Sequence, residues 1–160
     1  MVILYDGLET LPHFNPDDDG EVLPTPAAAW RRAIGNADGL LISSPEYARG
    51  IPGSLKNALD WLVGDPDFAG KPVALFNASQ RAVAAQQALL LTLQIMSAHI
   101  VEAGSITIPL TGLAPGVDDI LANDAFAGEI SRAIEALCGA VEDRRADNPG
   151  PQASSTGAWA

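Results

Sequence analysis

The residues best equipped for chemistry fall in two short stretches. The first is Ser43-Ser44-Pro45-Glu46-Tyr47-Ala48-Arg49-Gly50-Ile51-Pro52-Gly53. It gathers hydroxyls, a carboxylate, a phenol and a guanidinium. Pro45 and Pro52 stiffen it, which lowers the entropy cost of an ordered cradle. Gly50 and Gly53 permit tight turns and close approach of backbone to a ligand. The second stretch, Asn77-Ala78-Ser79-Gln80-Arg81, offers an amide, a hydroxyl and a guanidinium but no glycine. Both suit the ordering of a small ligand by shape, amide donors and charge. Plainer readings stand beside this one. Tyr47 alone reads as a packed surface aromatic, Glu46 as a solvated charge, and Ser79 as a cap for the helix that follows.

Other residue types suggest less. His13 and His99 lie far apart without carboxylate or cysteine companions at ligand spacing, so no metal site is expected. Asp17-Asp18-Asp19-Gly20 lacks the 12-residue pattern and terminal Glu of a calcium loop and reads as a solvated acidic loop. Gly50 to Gly53 has the G-x-x-G form of an RNA-binding loop, but no basic surface accompanies it. Neither G-x-S-x-G nor a Walker pattern occurs.

The elements that must position the two stretches can be read from hydrophobic pattern. Val2 to Tyr5 is short, apolar and β-prone, and is expected to be a strand. Leu11 to Pro26, with four prolines, is expected to be a surface loop. Ala27 to Ala37 has helical spacing. Gly39 to Ser44 and Val73 to Phe76 are continuous apolar runs of strand length, as in a parallel sheet covered on both faces. A helix is expected from about Gly53 to Val63, and another from Ala82 to His99 with a stripe of Ala85, Leu89, Leu93, Met96 and Ile100. Ile106 to Ile108 reads as an edge strand. A final helix runs from Asp118 to about Glu142, with Phe126, Ile130, Ile134, Leu137, Val141 and Cys138 inward. The alternation β-α-β-α-β-α-β-α implies an α/β fold with a parallel sheet between two helical layers. Ligands then bind at the carboxyl ends of the strands, where both stretches lie. One domain is expected over residues 1–146, followed by a disordered tail over 147–160 rich in Pro, Gly, Ser and Ala.

Composition narrows the partners. The chain has 160 residues, 48% of them hydrophobic, enough for one sizeable core. Its net charge of −11 repels nucleic acid and anionic membranes. No apolar run approaches the ~18 residues of a membrane span. A single cysteine and no leader-like start fit a cytoplasmic protein. The expected partner is a small molecule or another protein.

The first stretch, continued through Ser54-Leu55-Lys56-Asn57-Ala58-Leu59-Asp60-Trp61-Leu62, resembles the signature of the NADPH-dependent FMN reductases and related quinone or chromate reductases. That family carries Thr/Ser-Pro-Glu-Tyr-Asn, then Ile-Pro-Gly, then Leu-Lys-Asn-Ala-Ile-Asp-Trp. Leu11-Pro12 with Phe14-Asn15-Pro16 is similar to its Leu-Pro-x-Tyr/Phe-Asn-Pro segment. The resemblance implies a flavodoxin-like fold, bound FMN, NADPH as co-substrate, a quinone or flavin as small-molecule electron acceptor, and a homodimer or homotetramer. It also implies that backbone groups of Pro45, Glu46, Tyr47 and Ala48 line the isoalloxazine edge, with Tyr47 as an aromatic wall. Asn77 and Ser79 are placed to hydrogen-bond flavin, and Arg81 to meet an NADPH phosphate. The flavin carries the reaction, so no catalytic acid–base pair is expected of the protein.

Two departures from the family bear on this. Ala48 stands where Asn is usual. No Gly-Ser-x-Arg loop, which would hold the FMN phosphate at a helix N-terminus, occurs. Val2 to Tyr5 corresponds to the family's second strand, so the first strand and helix are expected to be missing and apolar surface exposed. A misassigned start, a truncated product or a partner subunit filling the gap would each account for that. The rival reading is a non-catalytic remnant that no longer binds FMN.

Overall fold

A computed structural model describes residues 1–110 and 116–148. Helix α1 (Thr25–Asn36) leads to strand β1 (Leu40–Ser43), helix α2 (Gly53–Asp60) and strand β2 (Pro72–Asn77). Helix α3 (Val83–Ile95), strand β3 (His99–Ile100) and strand β4 (Ile106–Thr107) follow, then helices α4 (Val117–Leu121) and α5 (Asp124–Asp147). Every strand pairing in the sheet is parallel among the described residues, and β2 is central. Leu40 to Ser43 of β1 lie opposite Val73 to Phe76 on one side. On the other side β3 pairs the start of β2 and β4 its end, so they act as one strand interrupted by a turn at Glu102–Gly104.

Pleating sends alternate residues of β2 to opposite faces. Val73 and Leu75 join a core built with Trp30 and Ile34 of α1, Leu59 of α2, and Leu89 and Leu93 of α3. Ala74 lies on the other face beside Gly104 and the Ala133 carbonyl of α5. The expected parallel α/β layering is therefore present. Lys71, just before β2, is 1% exposed, and its Nζ donates to the Ala37 carbonyl at 2.6 Å.

Four expectations are corrected. Val2–Tyr5 is not a strand: Val2, Ile3 and Leu4 are 86%, 74% and 90% exposed. A strand needs a ladder partner for its backbone groups, and this segment takes none among the described residues; instead the Tyr5 ring packs on Trp30 with centroids 4.7 Å apart. The third helix stops at Ile95 rather than His99, because Ser97 turns left-handed at φ 63°. Its amide bonds Gln94 O and the Ala98 amide bonds Leu93 O, the Schellman pattern. His99 and Ile100 are thereby released into β3. The final helix is split, since the Asn123 side chain accepts from the amides of Ala125 and Phe126 and starts α5 afresh. Cys138 is exposed rather than core; buried Ala133 marks the inward face of that helix. Helix α5 ends at Asp147, and residues 149–160 of the expected tail lie outside the described residues.

Candidate functional site

The loops that follow β1 and β2 meet at the carboxyl edge of the sheet. The first forms a tight hairpin. Tyr47 and Gly50 exchange two backbone hydrogen bonds, at 3.1 and 3.0 Å. Between them Ala48 and Arg49 both have positive φ, 50° and 61°. Two consecutive left-handed residues are the signature of a type I′ turn, which Asn and Gly adopt far more readily than Ala. The family's Asn at position 48 thus has a conformational reason.

The hairpin presents open groups. Tyr47 is 66% exposed, and Pro45, Ala48 and Arg49 are exposed as well. The amides of Glu46, Ala48 and Arg49 donate to no group among the described residues. Below the tip, Glu46 reaches across to the second loop, where its Oε2 accepts the Ala85 amide at 2.9 Å. Ala85 is the third residue of α3, whose own N-cap residue, Ala82, supplies no side-chain bond.

The second loop is organised from within. Buried Asn77 accepts the Ser79 amide on Oδ1 at 2.9 Å and donates to the Ala82 carbonyl at 3.4 Å. The Ser79 hydroxyl oxygen accepts the Arg81 amide at 3.2 Å, so Ser79 shapes the loop and does not cap α3. Arg81 is exposed and has no carboxylate partner among the described residues. Pro45, Glu46, Tyr47, Ala48, Ser79 and Arg81 are thus gathered on one edge, while the Asn77 side chain is committed inward.

Asn57 accepts the Phe14 amide at 2.7 Å and donates to the Pro12 carbonyl at 2.9 Å. Trp61, fully buried, donates to the same carbonyl at 2.9 Å, and its ring meets Phe14 edge-on at 5.1 Å. These residues clamp the Leu11–Pro16 segment onto α2. The signal was present as two separate motif fragments; their contact was not.

A cleft of about 490 Å³ lies elsewhere, at the carboxyl ends of α2 and α3, lined by residues including Lys56, Asp60, Thr92 and Met96. Lys56 and Asp60 there pair with each other. Size favours this cleft, but ligands of open α/β sheets bind at the strands' carboxyl ends, so the two loops are the candidate site.

The loops fit a flavin ring: unengaged amides and an exposed aromatic ring suit its polar edge and flat face. They do not supply a phosphate site. The second loop has no glycine, and the helix start it leads to is already occupied by the Glu46 carboxylate.

Comparison with known proteins agrees with this geometry. The sequence model of the NADPH-dependent FMN reductase family matches residues 2–111. A 2-hydroxy-1,4-benzoquinone reductase of Burkholderia sp is 45% identical over 76 residues, 46% of this chain and 41% of that one. A quinone reductase of Escherichia coli (strain K12) is 46% identical over 61 residues, 37% of this chain and 32% of its own length. The chain thus spans less than half the length of these two relatives. An NAD(P)H-dependent FMN reductase of Pseudomonas aeruginosa matches more fully, 31% identical over 142 residues, covering 86% of this chain and 77% of the relative. Among solved structures, the flavoenzyme NAD(P)H:(acceptor) oxidoreductase FerB of Paracoccus denitrificans superposes with a TM-score of 0.64 at 23% identity, covering 85% and 78% of the two chains. At that identity it shows the shared fold.

Proposed function

The chain belongs to the NADPH-dependent FMN reductase family, and from that premise we propose that it is an FMN-dependent oxidoreductase passing electrons from NADPH to quinones or free flavin. The observation that carries this is the Tyr47–Gly50 hairpin, a constrained turn that leaves amides and an aromatic ring open at the carboxyl edge of a parallel sheet. When bound, FMN would supply the redox chemistry, taking a hydride from NADPH and passing electrons to the acceptor.

The chain's own residues then bind and orient. Backbone groups of Pro45, Glu46, Tyr47 and Ala48 would hold the isoalloxazine edge, and the exposed Tyr47 ring would offer an aromatic wall. The Ser79 hydroxyl keeps its proton free to donate, since its oxygen is used as an acceptor. Arg81 offers a cation to an NADPH phosphate on an otherwise acidic protein. Asn77 acts as scaffold for that loop.

The protein is expected in the cytoplasm as a homodimer or homotetramer. Exposed Leu91 and Ile95, one turn apart on α3, with Val63 beyond α2, support an assembly that buries them. No helix among the described residues is long and apolar enough to cross a membrane.

A second reading, a fold relative that no longer holds FMN, is favoured by the glycine-free second loop and by Glu46 at the start of α3. Titrating FMN into the chain and following flavin fluorescence separates the two. Saturable quenching, with quinone-dependent NADPH oxidation, supports the reductase; no quenching and no oxidation support the remnant.

A further inference from the structure

We propose that Glu46 is a positioning residue that latches the first site loop to helix α3 and so sets the spacing of the two flavin-facing loops. The inference rests on the flavin-binding reading above and concerns the Glu46 side chain, where that reading uses only its backbone.

Helix α3 begins without a cap of its own, because Ala82 has no side-chain acceptor. An uncapped helix start leaves backbone donors unsatisfied and a partial positive charge exposed. Glu46, 39 positions earlier in the chain, meets both needs: its Oε2 accepts the Ala85 amide at 2.9 Å. A carboxylate accepting a backbone N–H at a helix start makes one of the stronger hydrogen bonds in proteins. Around it, Ser44 and Ile51 of the loop close against Ala85, Gln86 and Leu89 of α3, leaving no space for a water molecule.

The bond lies directly beneath the functional part of the loop. Glu46 immediately precedes the Tyr47–Gly50 hairpin, whose two left-handed non-glycine residues are conformationally costly and must be held by their surroundings. Ala85 stands in the first turn of α3, four residues after Arg81, the last residue of the second loop. One bond therefore fixes the base of the hairpin to the base of its neighbour. It also occupies the α3 start, so the FMN phosphate is not held at that helix end.

The test compares the wild-type chain with Glu46→Gln, which keeps an acceptor oxygen, and Glu46→Ala, which removes it. FMN affinity is read by fluorescence quenching, and protection of the Ala85 amide by hydrogen exchange without flavin. The proposal expects Glu46→Ala to weaken FMN about tenfold and Glu46→Gln to stay within about threefold of wild type, in line with loss of the bond in the first and its retention as a weaker, neutral hydrogen bond in the second. The Ala85 amide should exchange faster in Glu46→Ala alone. Wild-type affinity in Glu46→Ala overturns the positioning role, and so does Glu46→Gln as weak as Glu46→Ala. If the wild-type chain binds no FMN, the flavin reading fails and the positioning role with it; unchanged Ala85 exchange across the three proteins overturns the latch itself.

Discussion

The side chain of Asn57 holds the backbone amide of Phe14 at 2.7 Å. That contact, 43 residues apart in sequence, joins the two motif fragments that first suggested the family. Replacing Asn57 with Ala leaves the Phe14 amide and the Pro12 carbonyl without this partner in a part-buried place. The expected cost is about 1–3 kcal/mol, seen as a lower urea midpoint at unchanged slope.

Ala48 sits at φ 50°, where a β-carbon is disfavoured. Ala48→Gly should relieve that strain and stabilise the chain by about 1 kcal/mol, partly offset by the greater freedom of glycine when unfolded. Ala48→Asn should stabilise in the same direction. Thermal melts of the three proteins decide it; a lower midpoint for both variants contradicts the turn geometry.

Tyr47 contributes little to packing at 66% exposure. Tyr47→Ala should shift stability by no more than about 0.5 kcal/mol. As the wall of a flavin site it should nonetheless weaken FMN about tenfold, the scale of a buried aromatic contact. Unchanged FMN affinity would return Tyr47 to the plain surface aromatic.

Gly104 packs where a side chain would be crowded. A β-carbon there would stand 3.1 Å from the Ala133 carbonyl oxygen and 3.3 Å from the Ala74 β-carbon. Gly104→Val should therefore cost about 1–3 kcal/mol by overpacking between sheet and α5, measured by denaturant unfolding.

Lys71 titrates in the opposite sense to a paired lysine. Burial, then the nearby Arg144 charge, lowers its pKa below the usual 10.5, only partly opposed by Asp67, Asp38 and Asp65. Below the lowered folded value both states hold the proton and the burial cost is complete. Between that value and 10.5 the unfolded state holds more protons, so stability attributable to Lys71 rises with pH. The unfolding free energy of wild type minus that of Lys71→Met should climb over this window; a flat difference would mean Lys71 is not desolvated.

The sequence by itself determined the class of fold, the order of its main elements and the family. Those rest on local signals: apolar runs at Gly39–Ser44 and Val73–Phe76, helical spacing in α1, α2 and α3, and an uncommon string from Pro45 to Leu62. What failed depended on partners distant in the chain or on unusual backbone. Val2–Tyr5 has strand composition, but a strand exists only where a neighbour offers a ladder. The end of α3 turns on a left-handed serine, which carries none of the warning a glycine gives. At the site, the residue types of both loops were legible. Only the tertiary structure committed Asn77 inward, set the hairpin at Ala48 and Arg49, and brought the Glu46 carboxylate to Ala85, because hydrogen bonds between distant segments depend on where the sheet places their ends.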